Sequence, residues 1–470
     1  MKRRDFFRNG VLASLGVASF APGLQAANHA SNYKNKKAKN IIFMVSDGMS
    51  TGTLNMADLL FYQKTGKRSR WMDLYSREGV TRSLMETASA NALVTDSAAA
   101  GSSWGGGRRV PNGSLNIGSN GEEHMPILQK FKAAGKAVGC VTSVQITHAT
   151  PASFCVNFKS RSAQPEIAEK YLDLKFDVMM GGGDEFFDAS KRKDGRDLYG
   201  DFKKAGIAVA RSKADMEKMK GGTPVLGVFS EGGLPYAIDR ENDVELKKNV
   251  PSLAEMIRKA IDLMKNNPKG FAMQIEGGKV DWAAHANDAP ALIYDQLDFD
   301  EAVGVALDFA AQDGETLVVI TTDHGNSNPG LFSNSKVNEK FANLYTTTKS
   351  NEWLLMQLSH ENTPAQVRDL IEAYQGIQLT NEDAVAILKD YQVVNEEGMY
   401  DSGKRPMHLL AQLQAPHTSI QWGGTNHSGD HVELAMYGPG SQKLPAFIEN
   451  YQLHQFMLDA AEVGNLAFAY

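Results

Sequence analysis

Short apolar runs of strand length alternate along this chain with segments whose apolar residues recur at helical spacing. The strand-like runs lie at residues 41–46, 138–146, 178–180, 207–210, 226–229, 271–275 and 317–320. Segments such as 56–62, 125–134 and 252–266 have helical periodicity, and Gly135 follows the second as a helix-ending residue. This alternation is typical of an α/β fold and predicts a large, mainly parallel sheet sandwiched between helices.

The pattern changes between residues 331 and 420, where polar helical segments such as 363–374 and 381–391 occur without an apolar strand. Residues with catalytic character lie on both sides of this stretch. We therefore expect residues 40–330 and 421–470 to form one catalytic core, with residues 331–420 as a helical insertion near the active-site face. The alternative is that the stretch is an independent domain.

Four of the apolar runs lead into side chains that bind hard or borderline metal ions. The segments that follow them are Asp47, Thr147-His148-Ala149-Thr150, Glu276 and Thr321-Thr322-Asp323-His324. In open α/β sheets the carboxyl ends of the strands form the ligand crevice. We therefore expect these side chains to converge on one site.

The first 26 residues have the pattern of an export signal. Paired Arg3-Arg4 precede an apolar run over residues 11–20, and small residues follow near Ala26. The paired arginines indicate the twin-arginine route, so we expect a periplasmic or secreted protein with no stable membrane anchor once the signal is removed. The apolar run is too short to span a bilayer, so the alternative to an export signal is an amphipathic membrane anchor.

Composition and charge limit the function classes. The 470 residues are 42% hydrophobic and 22% charged, which is ordinary for a globular protein with one large domain and an insertion, or with two domains. The formal net charge is −6, and loss of the first 26 residues, with four basic residues and one acidic residue, makes it −9. A chain this acidic has no overall electrostatic reason to bind nucleic acid or anionic lipid, so an anionic substrate needs local attraction by metals or an arginine.

The chain has two cysteines, Cys140 and Cys155. In an oxidising compartment they allow one disulfide, and two buried thiols are an equal alternative because sequence gives no Cα separation. Neither lies in a CxxC pair, which argues against a thiolate zinc site.

Ser97 is the candidate nucleophile. It lies in Val94-Thr95-Asp96-Ser97-Ala98-Ala99-Ala100-Gly101, where small residues permit a helix to begin directly after a turn and to present its amide groups to a phosphate. The alternative is an ordinary helix start with Asp96 or Ser97 as the N-cap.

Asp281 and His285 are four residues apart, so they share one face of a helix and form a partial zinc site. The alternative interpretation of Asp281 and His285 is a hydrogen-bonded pair on the surface. The preceding Gly277-Gly278 and apolar strand favour a metal site instead. Asp323-His324 and His427 offer further ligands, although a lone histidine is more often structural.

Together these segments resemble the alkaline phosphatases of the two-zinc, one-magnesium type. The resemblance runs from about residue 40 to 330 and from about 421 to the end, and it leaves out the insertion. It rests on six motifs in the family's order: Val45-Ser46-Asp47-Gly48-Met49, Thr95-Asp96-Ser97-Ala98, Thr147-His148-Ala149-Thr150-Pro151-Ala152, Glu276 with Asp281 and His285, Thr322-Asp323-His324, and His427-Ser428-Gly429.

The resemblance implies the ligands of three metal ions, two Zn²⁺ and one Mg²⁺. The first Zn²⁺ would be held by Asp281, His285 and His427. The second Zn²⁺, beside Ser97, would be held by Asp47, Asp323 and His324. The Mg²⁺ would be held by Asp47, Thr150 and Glu276. Imidazole and carboxylate suit Zn²⁺, and carboxylate and hydroxyl oxygens suit Mg²⁺.

The resemblance also concerns three residues around the metals. Arg161 follows Thr150 by eleven residues, as the family's phosphate-binding arginine does, and the alternative for it is a solvated surface arginine. His148 and Trp282 stand at positions that vary within the family. Neither is expected to bind metal directly, but both are expected to affect magnesium affinity and phosphate release.

The implied function is metal-dependent hydrolysis of small phosphate monoesters at alkaline pH through a phosphoserine intermediate, with inorganic phosphate as product. The family also implies a homodimer. One alternative is a related two-metal phosphodiesterase, sulfatase or phosphomutase. Another is an inert exported protein that binds phosphate or metal.

Overall fold

The computed structural model describes residues 36–391, 405–464 and 466. The segment 1–26, for which the sequence predicts an export signal, lies outside these residues. No helix within the described ranges combines the length and the apolar character needed to span a membrane.

The described residues contain fourteen strands. Their bounds are β1 Asn40–Ser46, β2 Val80–Glu86, β3 Ala137–Gln145, β4 Val178–Gly182, β5 Ala208–Ala210, β6 Val225–Val228, β7 Phe271–Gly277, β8 Thr316–Thr321, β9 Gly325–Asn326, β10 Gly330–Leu331, β11 Ile420–Gln421, β12 His427–Ser428, β13 Val432–Tyr437 and β14 Phe447–Glu449. Ten of them form one sheet in the order β14-β2-β13-β8-β1-β7-β3-β4-β6-β5, and β10-β11 and β12-β9 form two small ribbons.

Strand direction in the large sheet is mainly parallel. Every pair of neighbours is parallel except the two that involve β13, which runs antiparallel to β8 and β2. All residues of β1, β7 and β8 are buried, as expected for parallel strands covered on both faces. The predicted α/β fold with a large, mainly parallel sheet is confirmed.

Nineteen α-helices lie within the described residues. Their bounds are α1 Thr51–Thr65, α2 Arg70–Asp73, α3 Ser97–Gly105, α4 Ile127–Ala133, α5 Ala149–Ser153, α6 Gln164–Leu174, α7 Leu198–Lys204, α8 Lys213–Lys218, α9 Ala237–Glu241, α10 Val244–Asn249, α11 Leu253–Met264, α12 Lys279–His285, α13 Ala289–Asp313, α14 Val337–Phe341, α15 Asn351–Met356, α16 Pro364–Gln375, α17 Asn381–Asp390, α18 Met407–Thr418 and α19 Gln452–Ala460.

The sheet has an apolar core on each face. Successive residues of β1 point to opposite faces, so Ile42 and Met44 join one apolar cluster while Ile41 and Phe43 join the other. Helices α1, α11 and α13 complete the first cluster, and α3, α4, α6 and α19 complete the second. The sheet is therefore sandwiched between helices.

The helical stretch from 331 to 420 is bounded by the β10-β11 ribbon. Gly330 pairs with Gln421, and Leu331 pairs with Ile420, in an antiparallel register. The described part of the stretch contains α14 to α18 and a third apolar cluster, to which Leu354 contributes. Helices α16 and α17 each begin with a capping box, which fixes their first turns.

Both cysteines are free and buried, so the structure has two thiols rather than a disulfide. Cys140 lies in β3 and its Sγ donates to Gln274 Oε1 at 2.8 Å. Cys155 follows α5.

Candidate metal centre and active site

The carboxyl ends of four adjacent strands, β8, β1, β7 and β3, meet at the centre of the site. Asp47 directly follows β1, and Glu276 lies in β7 opposite Val45. Asp323 comes two residues after β8, and β3 leads into α5, which carries Thr150. The structure thus brings together the strand-end segments identified from the sequence, in the place where open α/β sheets bind their ligands.

Ser97 is the first residue of α3 and is 1% exposed. Asp96 is the N-cap of this helix, and its Oδ1 accepts from the backbone N–H of Ala99 at 2.9 Å. Asp96 therefore acts as the N-cap of α3, and this role is compatible with a position of Ser97 in the site. Ser97 Oγ lies 3.3 Å from His324 Nε2.

Small residues in α3 allow this helix to lie against α5. A Cβ atom at Gly105 would overlap with the carbonyl oxygen of Ser153, and one at Gly101 would overlap with its Oγ. Glycine at both positions permits the close approach. Since α5 carries Thr150, this contact fixes Ser97 relative to the candidate metal-binding side chains.

Asp47, Asp323 and His324 form the first group of donors. His324 Nε2 lies 3.6 Å from Asp47 Oδ1 and 3.2 Å from Asp323 Oδ2. All three side chains are fully buried. The backbone N–H of Gly48 donates to Asp323 Oδ1 at 3.0 Å and holds this carboxylate in place.

Asp281, His285 and His427 form the second group. His285 Nε2 lies 3.0 Å from His427 Nε2 and 3.5 Å from Asp281 Oδ2, and His427 Nε2 lies 3.6 Å from Asp281 Oδ1. His285 Nδ1 is 2.8 Å from the carbonyl oxygen of Thr425, and His427 Nδ1 is 2.9 Å from that of Thr95. In its neutral form each ring therefore has the proton on Nδ1, where the carbonyl accepts it, and presents the Nε2 lone pair to the site.

Asp47, Thr150 and Glu276 form the third group. Thr150 Oγ1 donates to Asp47 Oδ2 at 3.3 Å, and Thr142 Oγ1 donates to Glu276 Oε2. A ring nitrogen of His148 lies within 4.8 Å of carboxylate oxygens of both Asp47 and Glu276. The sequence interpretation put His148 beside the metal, whereas the structure also places it among the donors.

Arg161 lies between the start of α3, which carries Ser97, and the third group. Its Nη1 donates to Asp96 Oδ2 at 3.1 Å, and its Nη2 is 3.2 Å from His148 Nε2. Because Asp96 also caps α3, Arg161 is tied to the helix start that carries Ser97. The Trp282 ring stands edge-on to the His148 ring, with centroids 6.0 Å apart.

A sequence model of the family described as alkaline phosphatase matches residues 38–463. The chain belongs to the alkaline phosphatase family. It is therefore a phosphatase, and its reaction is the hydrolysis of phosphate monoesters. Family membership disfavours the diesterase, sulfatase, phosphomutase and inert binding-protein alternatives.

Individual alkaline phosphatases are similar over most of the chain. Alkaline phosphatase 4 of Bacillus subtilis is 30% identical over 467 residues, covering 96% of this chain and 97% of that protein. The Escherichia coli alkaline phosphatase is 29% identical over 361 residues, covering 68% of this chain and 76% of that protein. The Thermus thermophilus alkaline phosphatase crystal structure superposes with a TM-score of 0.84 at 29% identity, covering 95% of this chain and 96% of that one. The similarity thus extends beyond the six motifs into the helical stretch.

Alkaline phosphatases are metal-dependent, and the donors of this chain fit that requirement. Asp47 Oδ1, Glu276 Oε1 and Asp323 Oδ2 are buried and accept no hydrogen bond from the described residues, which is costly for a carboxylate. The Nε2 lone pairs of His285 and His427 face each other at 3.0 Å. Cations would satisfy the oxygens and relieve the repulsion between the lone pairs.

Burial raises the pKa of three carboxyl groups of the site and lowers that of the His324 imidazole. Burial, assisted by the charges of Asp323 and Asp281, raises the pKa of Asp47. Burial also raises the pKa of Glu276 to about 7 and that of Asp323 to about 6. Burial lowers the pKa of His324 to about 3, so its ring is neutral and able to bind metal. Positive charge nearby would therefore favour the ionised form of these three carboxyl groups.

Several residues that hold the site were not identified from the sequence. Asn326 is buried and donates its side-chain amide to Asp281 Oδ1 at 2.7 Å. It lies in β9 opposite His427 in β12. Strands of two residues have no readable periodicity, but the position of Asn326, just after Asp323-His324-Gly325, was an available signal. Thr142, whose hydroxyl donates to Glu276, lies within the apolar run of β3, so the sequence pattern did not distinguish it.

Proposed function

We propose that the reaction uses Ser97 as the nucleophile beside two Zn²⁺ and one Mg²⁺. The proposed ligands are Asp281, His285 and His427 for one Zn²⁺, Asp47, Asp323 and His324 for the other, and Asp47, Thr150 and Glu276 for Mg²⁺. When bound, these cations would lower the pKa of the Ser97 hydroxyl and neutralise charge on the phosphoryl group. The observation that carries the proposal is the position of Ser97 Oγ, 3.3 Å from His324 Nε2. His324 itself lies among convergent donors, with Asp47 and Asp323 on one side and Asp281 and His427 on the other.

Hydrolysis proceeds in two displacements at phosphorus. Ser97 Oγ loses its proton and bonds to phosphorus, while the bond to the alcohol oxygen breaks and the alcohol takes up a proton. A water molecule then gives up a proton as its oxygen bonds to phosphorus, the bond to Ser97 Oγ breaks, Ser97 Oγ takes up a proton, and inorganic phosphate leaves. Each in-line displacement inverts the configuration at phosphorus, so the two steps together retain it.

Arg161 holds the non-bridging oxygens of the phosphoryl group. Its planar guanidinium can donate two parallel hydrogen bonds to such oxygens. Asp96 keeps the side chain next to the start of α3, where the first amide groups also favour an anion. His148 lies near the Mg²⁺ ligands, and its imidazole would shift the preference of that position toward Zn²⁺.

We also propose the organisation of the chain. Residues 1–26 act as a twin-arginine signal, and the mature protein is periplasmic or secreted and forms a homodimer. Residues 331–420 are an insertion into the core formed by residues 40–330 and 421–470. The β10-β11 ribbon at the base of this stretch and its separate apolar cluster support that division.

Ser97→Ala tests the covalent mechanism. Wild-type protein mixed with labelled phosphate and quenched with acid is expected to retain label on Ser97, and the variant is expected to retain none. Ser103→Ala is the matched control, because it removes another buried hydroxyl of α3, one that donates to the Ala100 carbonyl at 2.7 Å. Label on Ser97→Ala at the wild-type level would reject Ser97 as the nucleophile.

A further inference from the structure

A cavity of about 410 Å³ lies between α18 of the helical stretch and the segment that leads to His427. Its walls include Ala411 and Ala415 of α18, and Ile420, Trp422 and Thr425 of the following segment. The volume is in the range of small-molecule pockets. The metal centre described above contains no residue of α18, so the cavity is a separate feature.

The cavity adjoins the Asp281/His285/His427 group. Thr425, one of its wall residues, accepts from His285 Nδ1 through its carbonyl oxygen at 2.8 Å. Asn287 is another wall residue. When its side-chain amide is oriented with the nitrogen toward the backbone, it donates to the Ala284 carbonyl at 2.9 Å and to the Gly424 carbonyl at 3.1 Å. The backbone that orients His285 therefore also forms one wall of the cavity.

His285 is the most exposed of the candidate metal ligands. The His285 side chain is 39% exposed, whereas Ser97 is 1% exposed and His324 is fully buried. A substrate whose phosphoryl group sits at Ser97 therefore has its remaining, organic part directed past His285. The cavity lies next to that path.

The chemistry of the walls selects for uncharged groups. None of the described residues that line the cavity is Asp, Glu, Lys or Arg. Ala411, Ala415 and Ile420 are apolar, the Trp422 indole offers a flat ring, and Gln412 and His408 offer polar tips. A planar ring can stack on the indole and bury its faces against the alanines.

We propose that this cavity binds the ring-bearing organic group of the phosphate monoester, so that the enzyme favours aryl phosphates over small alkyl phosphates. This inference rests on the proposed function, because the cavity is assigned to the alcohol side of a phosphoryl group held at Ser97. Trp422 is the main contact. Trp422 affects how well the organic group of the substrate binds and takes no part in the chemical steps.

The kinetic test compares 1-naphthyl phosphate with methyl phosphate. Trp422→Ala is expected to lower kcat/KM for the naphthyl ester about tenfold and to leave that for the methyl ester unchanged, while Trp422→Phe retains most of the preference. Ala415→Leu keeps the indole but fills the cavity, and it is expected to have the same selective effect as Trp422→Ala. Met356→Ala is the control, since Met356 is 56% exposed on α15 of the same stretch and lies outside the cavity. Comparing each variant with wild type for one ester cancels the intrinsic reactivity of the leaving group.

A binding measurement separates this proposal from the proposed function. Saturation-transfer NMR with 2-naphthol, which has no phosphate, is expected to show contact in wild type and in Met356→Ala, and a loss of contact in Trp422→Ala and Ala415→Leu. Equal losses for both esters, or naphthol contact unchanged in both cavity variants, would overturn the cavity assignment. A wild-type protein that binds naphthol at the cavity but forms no phosphoseryl enzyme would overturn the proposed mechanism and, with it, the assignment of the cavity to a substrate.

Discussion

The side-chain amide of Asn326 lies 2.7 Å from Asp281 Oδ1, and both residues are buried. The same amide nitrogen is 3.3 Å from the Asp281 carbonyl oxygen, so Asn326 fixes both the carboxylate and the backbone of α12. The β9-β12 ribbon places Asn326 opposite His427. One asparagine thereby links two members of the Asp281/His285/His427 group.

Asn326→Ala is expected to weaken metal retention by the Asp281/His285/His427 group. Groups that orient metal ligands typically contribute a factor of about 10 to 100 in metal affinity or activity. The measurement is metal content by elemental analysis during titration with a chelator. Asn334→Ala removes an asparagine hydrogen bond to Ser419 Oγ at 2.8 Å, away from the site, and should behave like wild type. Equal metal retention by Asn326→Ala and Asn334→Ala would contradict the positioning role.

Arg161→Ala is expected to raise the inhibition constant of inorganic phosphate by about tenfold or more, since a charge-assisted, two-pronged contact is lost. Arg161→Lys keeps the charge without the planar fork and should recover only part of the affinity. Lys159→Ala is the control, because it removes an exposed positive charge two residues away. If Lys159→Ala weakened phosphate inhibition as much as Arg161→Ala, long-range charge rather than contact would explain the effect.

Removal of the metal ions is expected to destabilise the protein more as pH rises. Burial raises the pKa of Glu276 from its ordinary value of 4.5 to about 7 and that of Asp323 from 3.8 to about 6. The cation-free folded state therefore binds protons more tightly than the unfolded chain. The resulting stabilisation is complete below about pH 4 and is lost as pH rises through about 6 to 7.

Calorimetry of dialysed metal-free and metal-loaded protein at about pH 5 and about pH 8 measures this effect, and the difference in Tm should be larger at the higher pH. Glu276→Gln removes one titrating group, so the metal-free variant should show a weaker dependence on pH. A Tm difference that is constant across this range would mean that the carboxylates do not control the stability of the metal-free protein.

The central strands could be predicted from the sequence because each is a continuous apolar run that ends at a polar side chain. The β1 run ends at Asp47, and the β8 run is followed by Asp323 and His324. The edge of the sheet gave weaker signals. In β2 only Ser83 and Met85 are buried, so its sequence has no sustained apolar character.

The candidate ligands could also be picked out from the sequence, whereas the contacts between them could not. The four-residue spacing put Asp281 and His285 on one face of α12, and the structure agrees. By contrast, the position of the His148 ring depends on the turn at the start of α5, where His148 is the N-cap. The position of Asn326 opposite His427 depends on a ribbon with two residues in each strand. Such features arise from tertiary packing and leave no periodic pattern in the sequence.

Gly48→Ala is expected to disturb the metal centre through Asp281. Gly48 has a φ of +66°, and a Cβ atom there would overlap with Asp281 Oδ1. Gly66 at the end of α1 has a similar φ of +73°, and no atom of the described residues would lie near a Cβ there, so Gly66→Ala adds backbone strain alone. Both variants should lose about 1 to 2 kcal/mol of stability from that strain. Only Gly48→Ala should also lose metal, because the new methyl group displaces a carboxylate; equal metal content in the two variants would show that Asp281 can move aside without loss of binding.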